Sequence, residues 1–566
     1  MAAVPSQTTG SSSVVNGSAI DAAGNVYLTG TFTGTVSFGP TSLTSVGGTD
    51  VFVAKWDASR NSFVWAQRGG GSGDDAGKSV AVQGSNVYVA GEYTSPQVAL
   101  GSTVLNNQGT ATGMYAPQDV FVAKLTDAGS GTGFTWALRV SGEYTESVAG
   151  LAVNGTNVYL AGQFTSSTLE LGPVTLTNSV QATARPSTQD IFVACLNDTG
   201  TSGTIAWAER AGGIYSETCA AMAVQGNDIY LHGLFVNYSG VATTTIGSIT
   251  LISNGGPSPM FVAKLTDNGL ARQWAWAVQA GNSDGNYPNG LAVYGTSVYV
   301  TGSFANQMPA GFGSHSLLGV GNMNLYLAKL TDAGSSASWT WARGNDSPSG
   351  SIRGYAVNAS AAGVFLLADY YSTAVRLGSI SLPSPASGQV VPIIGRLTDA
   401  GATSSYNWVQ TAGNSVTQLG LSCLAVLGSQ VYAAGGLSSQ TATFGSYTVT
   451  VPNPSTPIGS RRAALLVGLT DNTILRSTAP VWAADLHLAP NPAHSRVAVT
   501  LPPLGNAKQV TLTLTDVLGR AVVTEVHAWP ASGGRQELNL LGLTPGLYIL
   551  HVQAGQQYAV RHLLVE

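Results

Sequence analysis

Apolar positions along this chain come in short alternating runs, each closed by glycine or small polar residues. Asn25-Val26-Tyr27-Leu28-Thr29-Gly30 is one run, Asp50-Val51-Phe52-Val53-Ala54-Lys55 a second, and Trp65-Ala66 lies in a third. Period-two alternation over roughly four to eight residues, bounded by turn formers, predicts strands rather than helices. The three phrases return in the same order seven times along the sequence. Their tyrosine position recurs at Tyr27, Tyr88, Tyr159, Tyr230, Tyr299, Phe365 and Tyr432, at steps of 61 residues (Tyr27 to Tyr88) to 71 residues (Tyr88 to Tyr159). Such a step is long for a solenoid and suits a unit of four short strands.

Residues 145–215 show the unit. Leu151-Ala152-Val153 predicts an inner strand, Asn154-Gly155 a tight turn, and Asn157 to Gln163 a second strand. An excursion holding Leu169-Glu170-Leu171-Gly172 follows, with counterparts ending at Gly39, Gly101, Gly378 and Gly445. Asp190 to Leu196 predicts the third strand and Ile205-Ala206-Trp207-Ala208 the fourth. Radial packing of such units buries their apolar faces and leaves few open edges. The chain is therefore expected to be all-β: a seven-bladed β-propeller over residues 15–483, then a small Ig-like antiparallel β-sandwich over residues 484–566.

Residues 1–14 are expected to be disordered or a truncated N-terminus. Gly17–Asp21 reads as the first inner strand and Val481-Trp482-Ala483 as the last outer one, which closes the ring without a blade shared between the termini. The tryptophans Trp65, Trp136, Trp207, Trp276, Trp341 and Trp408, with Trp482 as a seventh, are expected to pack between blades. Asp127, Asp198, Asp267, Asp332, Asp399 and Asp471 are expected to bond their own backbone in turns rather than form a metal ring.

Two stretches carry family resemblances. Gly24-Asn25-Val26-Tyr27-Leu28-Thr29-Gly30, Phe121-Val122-Ala123-Lys124-Leu125 and Phe261-Val262-Ala263-Lys264-Leu265 resemble the repeat of secreted bacterial seven-bladed propellers, over nearly all of residues 15–475. Unit six departs most: Val364-Phe365-Leu366-Leu367-Ala368-Asp369 lacks the glycine, and Ile393-Ile394-Gly395-Arg396 replaces the Phe-Val-Ala-Lys block. That resemblance implies a fold and a secreted habit but no activity. The C-terminus closely resembles the type A sorting domain of type IX secretion cargo, through Pro490-Asn491-Pro492, Asp516 with Gly519-Arg520, Gly546-Leu547-Tyr548, and Arg561-His562-Leu563-Leu564-Val565. It implies partnership with the type IX secretion machinery, passage through the periplasm, and release or anchoring at the outer-membrane surface. Met1 to Ser13 lacks the basic and apolar regions of a signal peptide, which suggests a start other than Met1.

Composition narrows the function. Charged residues are 9% of the chain, hydrophobic ones 44%, and the net charge is −5, so no basic stripe for nucleic acid is present. No run reaches the ~18 apolar residues of a membrane span. Cys195, Cys219 and Cys423 fit neither a disulfide framework nor a metal spacing and are expected to be buried small hydrophobes. His232 is expected to be a packed or rim histidine.

Acidic residues recur just before the inner strand. Asp75, Glu146 and Glu217 each precede Val82, Val153 and Val224 by seven residues, and Asn286 fills the equivalent place. Tyr144, Tyr215, Asp284 and Tyr287 accompany them. Loops entering the inner strand open near the central channel, so these eight residues are the candidate ligand-binding group. Tyrosine rings with carboxylates suit a sugar, a peptide or a cation; the plainer alternative is that the acids cap turns. No catalytic or metal motif is visible. The expected protein is therefore a non-enzymatic, secreted or surface-bound binder of glycan or protein, without cofactor, calcium being conceivable but unsupported by a motif. A carbohydrate-active lyase or hydrolase, or a purely structural adhesive component, are the alternatives.

Overall fold

The computed structural model describes residues 2–566 apart from 110–116, 130, 181–187, 237–242, 253–257, 270, 282–284, 306–308, 347–349, 387, 412–418, 439–440, 445–446, 451–461, 472, 474–484, 505–508, 517–520, 531 and 555–556. All regular structure among the described residues is β-strand. The chain divides into two compact units, Met1–Thr470 and Asp471–Glu566.

The first unit is a β-propeller of seven antiparallel four-stranded blades. The second blade is representative, with Asp75–Gln83, Asn86–Tyr93, Asp119–Asp127 and Thr132–Gly142 in that spatial order. First strands of successive blades pack side by side from Ser12–Ile20 to Leu419–Leu427, which packs back on Ser12–Ile20. Third strands are central in their sheets and covered on both faces, so Asp50–Asp57 is buried at every position. That explains why they read as continuous apolar runs.

Ring closure differs from expectation. The seventh blade is built from Leu419–Leu427, Gln430–Leu437 and Ala463–Thr470, and its outermost strand is Ala2–Ala3. Ala2 lies opposite Val467 and Ala3 opposite Leu466. The Ser13 amide donates to Arg462 O at 2.7 Å, and the Ala464 amide to Ser13 Oγ at 2.9 Å. The termini of the propeller thus share a blade, because the free edge of Ala463–Thr470 needs backbone partners and the N-terminal residues supply them. Ala2–Ala3, Ser6–Gln7 and residues 12–14 belong to strands rather than to a disordered start. Val481-Trp482-Ala483 lies outside the described residues.

The repeated glycine has a steric cause. A Cβ on Gly30 would stand 1.9 Å from Val14 O and 2.9 Å from the Phe52 ring. Gly30 faces Phe52 across the strand pair, as Gly91 faces Phe121, Gly162 faces Phe192 and Gly233 faces Phe261. The aromatic ring lies over the bare backbone. In blade six the pair is Ala368 and Ile393, a larger residue in place of glycine opposite a smaller one in place of phenylalanine.

Four of the blade junctions share a buried clasp. Asp198, in the third-to-fourth-strand turn of blade three, accepts from three side chains of blade two: Tyr88 OH at 2.7 Å, Lys124 Nζ at 2.6 Å and Trp136 Nε1 at 3.0 Å. Asp127 receives Tyr27, Lys55 and Trp65 in the same way, Asp332 receives Tyr230, Lys264 and Trp276, and Asp399 receives Tyr299, Lys329 and Trp341. The turn bond expected for these residues is also present, for instance Gly200 N to Asp198 Oδ1 at 2.9 Å. Burial pushes the Asp198 carboxyl up, but the donors from Lys124, Tyr88, Gly200 and Trp136 outweigh it and bring it to about 2. Between blades three and four Cys195 replaces the lysine, and among the described residues Asp267 keeps Tyr159 at 3.3 Å and Trp207 at 3.1 Å as its donors from the preceding blade.

Excursions between second and third strands form a second seam at the rim. The hairpin Thr168–Leu171 with Val174–Thr177 belongs to blade three but pairs with the outer strand of blade two, Ser141 facing Glu170. The excursions of blades two and four pair with blades one and three likewise. The second unit is an antiparallel sandwich of one three-stranded and one four-stranded sheet. Val497, Val499, Leu512, Leu514, Leu538, Leu550, Val552 and Leu563 fill the space between them.

The clasp predicts unequal sensitivity. Asp198→Ala leaves Lys124 buried without its carboxylate and is expected to cost about 3–5 kcal/mol. Asp267→Ala, with no lysine to strand, is expected to cost clearly less. Urea unfolding followed by tryptophan fluorescence measures both, and equal losses would refute the assigned role of the lysine.

Candidate functional site

Excursions and fourth-to-first-strand loops emerge on one face of the ring, here the upper face. First-to-second-strand turns occupy the lower face and are tied to one another: Gln83 and Gly155 exchange hydrogen bonds of 3.3 and 3.0 Å, and Gln225 and Gly295 bonds of 2.8 and 2.9 Å. The lower face also carries the clasp turns. The upper face is less committed, and Val46, Ile214, Tyr287 and Leu318 are exposed there at 65, 63, 50 and 72%.

The candidate acids lie on this upper side but are not open to solvent. Asp75, Glu146, Glu217 and Asn286 are exposed by 1, 0, 2 and 2%. Each lies at the start of a first strand; Asp75 and Glu217 reach back to the loop that enters it, and Asn286 reaches the second-to-third-strand excursion of the preceding blade. Gly71 N donates to Asp75 Oδ2 at 2.7 Å, Gly213 N to Glu217 Oε2 at 3.0 Å, and Asn286 Nδ2 donates to Ser258 O at 2.8 Å. Ser95 Oγ donates to Asp75 at 2.7 Å and Ser166 Oγ to Glu146 at 2.5 Å. These four residues sit in four separate blade junctions and do not converge, so they brace loops rather than form one exposed patch. Tyr144 and Tyr215 are half-buried in the same loops, and Tyr287 is the most open of the candidates. Asp284 lies outside the described residues.

A second acid backs three of the four. Asp50, Asp119 and Asp190 start the third strands of blades one to three and are fully buried. Arg68 holds Asp50 at 2.8 Å and Arg210 holds Asp190 at 2.7 Å, while Tyr93 OH donates to Asp119 at 3.3 Å. Asp119 and Glu146 are within hydrogen-bonding reach of each other. Asp119 Oδ1 and Glu146 Oε2 are buried and have no partner otherwise. One proton, carried by Glu146 and donated to Asp119, satisfies both atoms. Burial, with the Asp119 charge adding to it, pushes Glu146 up to about 8, and burial together with the Asp190 charge pushes Glu217 up to about 7. Burial also raises Asp75. The surroundings of Asp119 and Glu146 are rich in donors, namely Arg139 and the amides of Gln108 and Gly142. That suits a carboxyl pair better than a cation. Among the described residues no group of three or more His, Cys, Asp or Glu is placed to hold a metal.

Remaining reactive groups are used by the fold. His232 is fully buried, its Nδ1 donating to Phe261 O at 2.8 Å and its Nε2 accepting from Tyr326 OH at 2.9 Å. Burial lowers it to about 4, so the ring is neutral. Cys195, Cys219 and Cys423 are free and buried, and burial pushes their thiols up to about 12, 12 and 11.

One cluster escaped the sequence reading. On blade six, Arg353 makes a two-pronged ion pair with Asp369, Nε to Oδ1 at 3.0 Å and Nη2 to Oδ2 at 2.9 Å. Tyr355 OH donates to the same carboxylate at 2.9 Å. The guanidinium lies 5.8 Å from the Tyr355 ring and 5.3 Å from the Tyr371 ring. The departure of unit six from the repeat falls on the same blade and was the available signal.

In the second unit the motif residues hold the sandwich together. Asn491 Nδ2 donates to His562 O at 2.8 Å and its Oδ1 accepts from Leu564 N at 2.9 Å, so Pro490-Asn491-Pro492 is stapled to the last strand. Arg561 Nε donates to Leu486 O at 3.3 Å, and Tyr548 is buried with its OH donating to Thr544 O at 2.9 Å. Asp516 faces Tyr548, and Gly546 faces Val565. Gly519 and Arg520 lie outside the described residues.

Residues 487–566 match the family model described as Secretion system C-terminal sorting domain. Residues 487–566 therefore form a sorting domain of the type IX secretion kind, which implies export of the chain. No curated protein matches this chain. Among solved structures, it is similar to a Trypanosoma rangeli sialidase in complex with the inhibitor DANA, at 8% identity and a TM-score of 0.32, over 85% of this chain and 83% of that one. It is also similar to dimeric latent PorU from Porphyromonas gingivalis, at 10% identity and a TM-score of 0.13, over 62% of this chain and 33% of that one. At such scores neither likeness carries an activity to this chain. With an enzyme among them, however, the expectation of a protein that is not an enzyme is withdrawn.

The shared proton makes stability depend on pH. The ordinary carboxyl value of Glu146 is 4.5 and its value in the folded protein is about 8. Its contribution is complete below the lower value and is lost as pH rises toward the upper one. Glu217 acts in the same direction. Wild-type protein is expected to lose stability from about pH 5 to about pH 9, and Glu146→Gln to flatten part of that fall. Denaturation midpoints across the range measure it; parallel curves would exclude the shared proton.

Proposed function

We propose that this chain is a cell-surface or released propeller that binds an extracellular glycan or protein with its upper face, and that the C-terminal unit delivers it there by the type IX route. The observation that carries the reading is the division of labour between the faces. Lower-face turns are largely engaged in the clasp and the turn-to-turn bonds, with Tyr294 and Leu427 exposed there at 48 and 39%, whereas the upper face holds the more exposed Val46, Ile214, Tyr287 and Leu318 and half-buried Tyr144 and Tyr215. Exposed large apolar and aromatic groups rimmed by polar residues mark recognition surfaces. The route is supported by the match over residues 487–566. Its contact with the export machinery is assigned to the outward side of the four-stranded sheet, where Val526, Leu547 and Leu564 are exposed at 53, 46 and 40%.

Deletion of residues 485–566 is expected to leave a folded propeller in the periplasm, and Val526→Asp with Leu564→Asp to reduce surface delivery without unfolding the sandwich. Fractionation and surface labelling measure both, and normal display of the deletion variant would refute the route. For binding, Tyr144→Ala with Tyr215→Ala and Tyr287→Ala is expected to weaken capture of whatever ligand a glycan and extracellular-protein array identifies. Unchanged capture would refute the upper-face assignment.

A further inference from the structure

Residues that the ring needs recur from blade to blade, and those that it does not need stand out as singular. Every blade has a β-bulge at the same place in its first strand, leaving one extra residue: Asn16, Lys78, Ala149, Ala220, Asn289, Tyr355 and Ser422. Bulges re-aim side chains, here on the strands that line the channel. Asn16 and Asn289 spend theirs on the next blade, donating to Gly77 O at 2.9 Å and Gly354 O at 2.7 Å. Lys78 and Tyr355 do not.

At the position of Arg353 the other blades carry Val14, Ala76, Ser147, Thr218, Tyr287 and Gly420. At that of Asp369 they carry Thr31, Glu92, Gln163, Leu234, Ser303 and Gly436. Six blades therefore close without an arginine here, so the group is not a requirement of the fold. Burying Asp369, which is only 4% exposed, is costly and needs the pair to offset it.

The charges are layered in one sense. The Arg353 side chain is 35% exposed and its carboxylate partner 5%. On blade two Lys78 lies 3.0 Å from Glu92, with side chains exposed by 38 and 9%, and Glu92 is further fixed by the Val148 amide at 3.0 Å. In both pairs the acid lies beneath and the cation faces solvent. Arg353 Nη1 has no hydrogen-bond partner among the described residues, while its Nε and Nη2 are pinned, so an open edge of the fork is held in a fixed orientation. Tyr287, half-exposed at the position of Arg353 on the adjacent blade, adds a ring on which a sugar face stacks.

We propose that the upper mouth of the channel binds an acidic polysaccharide, its carboxylate or sulfate groups engaged by Arg353 and Lys78 and a sugar ring by Tyr287. The inference rests on the upper-face binding reading and names its ligand class. It predicts affinity that falls as salt rises, since the cations are solvent-facing.

The test uses the full-length protein with polygalacturonate, dextran sulfate and neutral dextran. Arg353→Met combined with Asp369→Asn removes both partners and strands no charge; Lys78→Gln and Tyr287→Ala probe the other contacts. The expected result is retention of at least one polyanion and no neutral dextran, with binding lost between about 50 and about 500 mM salt. The double variant is expected to bind at least about tenfold more weakly, with an unchanged circular dichroism spectrum. Polygalacturonate alone identifies carboxylated sugars, dextran sulfate alone sulfated ones, and both identify charge as the criterion. Failure of folded protein to retain either polyanion overturns the proposal, as does full binding by the double variant. A neutral glycan or protein ligand lost with the tyrosines but kept by the double variant overturns it too, while leaving the upper-face reading in place.

Discussion

One buried carboxylate with three donors from the neighbouring blade, repeated at four junctions, is the polar interaction that most constrains the ring. Apolar faces supply most of the remaining contact between blades and are adhesive but indifferent to register, while the turn-to-turn and rim bonds lie at the two faces and the outer edge. A tyrosine, a lysine and a tryptophan on three successive strands that all end on one aspartate fix the angle and height of the next blade. The carboxylate must also be ionised, or the lysine is left buried as a bare charge. Where Cys195 takes the place of the lysine, this junction has less polar specification than its neighbours. Apolar packing around Trp207 and Cys195 then carries more of the registration.

Much of the fold was legible because strand signals are local and were repeated. Glycine opposite phenylalanine, the Phe-Val-Ala-Lys run and the Trp-Ala pair each reflect one cross-strand neighbour, and seven copies average out exceptions. Closure was not legible. Ala2-Ala3 has neither alternation nor β-branched residues, whereas Trp482-Ala483 imitates the fourth-strand phrase. What selects Ala2–Ala3 is an edge more than four hundred residues away, and no window on the sequence contains both. The turn aspartates were read correctly as turn formers and incompletely otherwise, because their donors come from the preceding blade.

Candidate residues show the same division. Spacing placed Asp75, Glu146 and Glu217 at the start of first strands on the upper side, where they are. Spacing carries no information on burial, which depends on Ser95, Ser166 and the second row of acids at Asp50, Asp119 and Asp190. Repetition itself is the useful discriminator: acids that return in blade after blade brace loops, and the arginine pair of blade six occurs once. An exported scaffold of identical units gains individuality only where a unit breaks the pattern, so departures from the repeat are the places to look for recognition.

The shared seventh blade bears on how the molecule comes into being. Ala2 pairs with Val467, so Ala2–Ala3 waits for nearly the whole propeller to be made before it finds its partner. Blades one to six draw their four strands from contiguous chain and assemble in order of synthesis, whereas the seam is the most non-local contact in the ring and the slowest kind to form. Until it forms, Ala463–Thr470 is an apolar strand with an open edge, the structure most prone to recruit a second copy. Whatever weakens the hold of Ala2–Ala3 on this edge therefore exposes it.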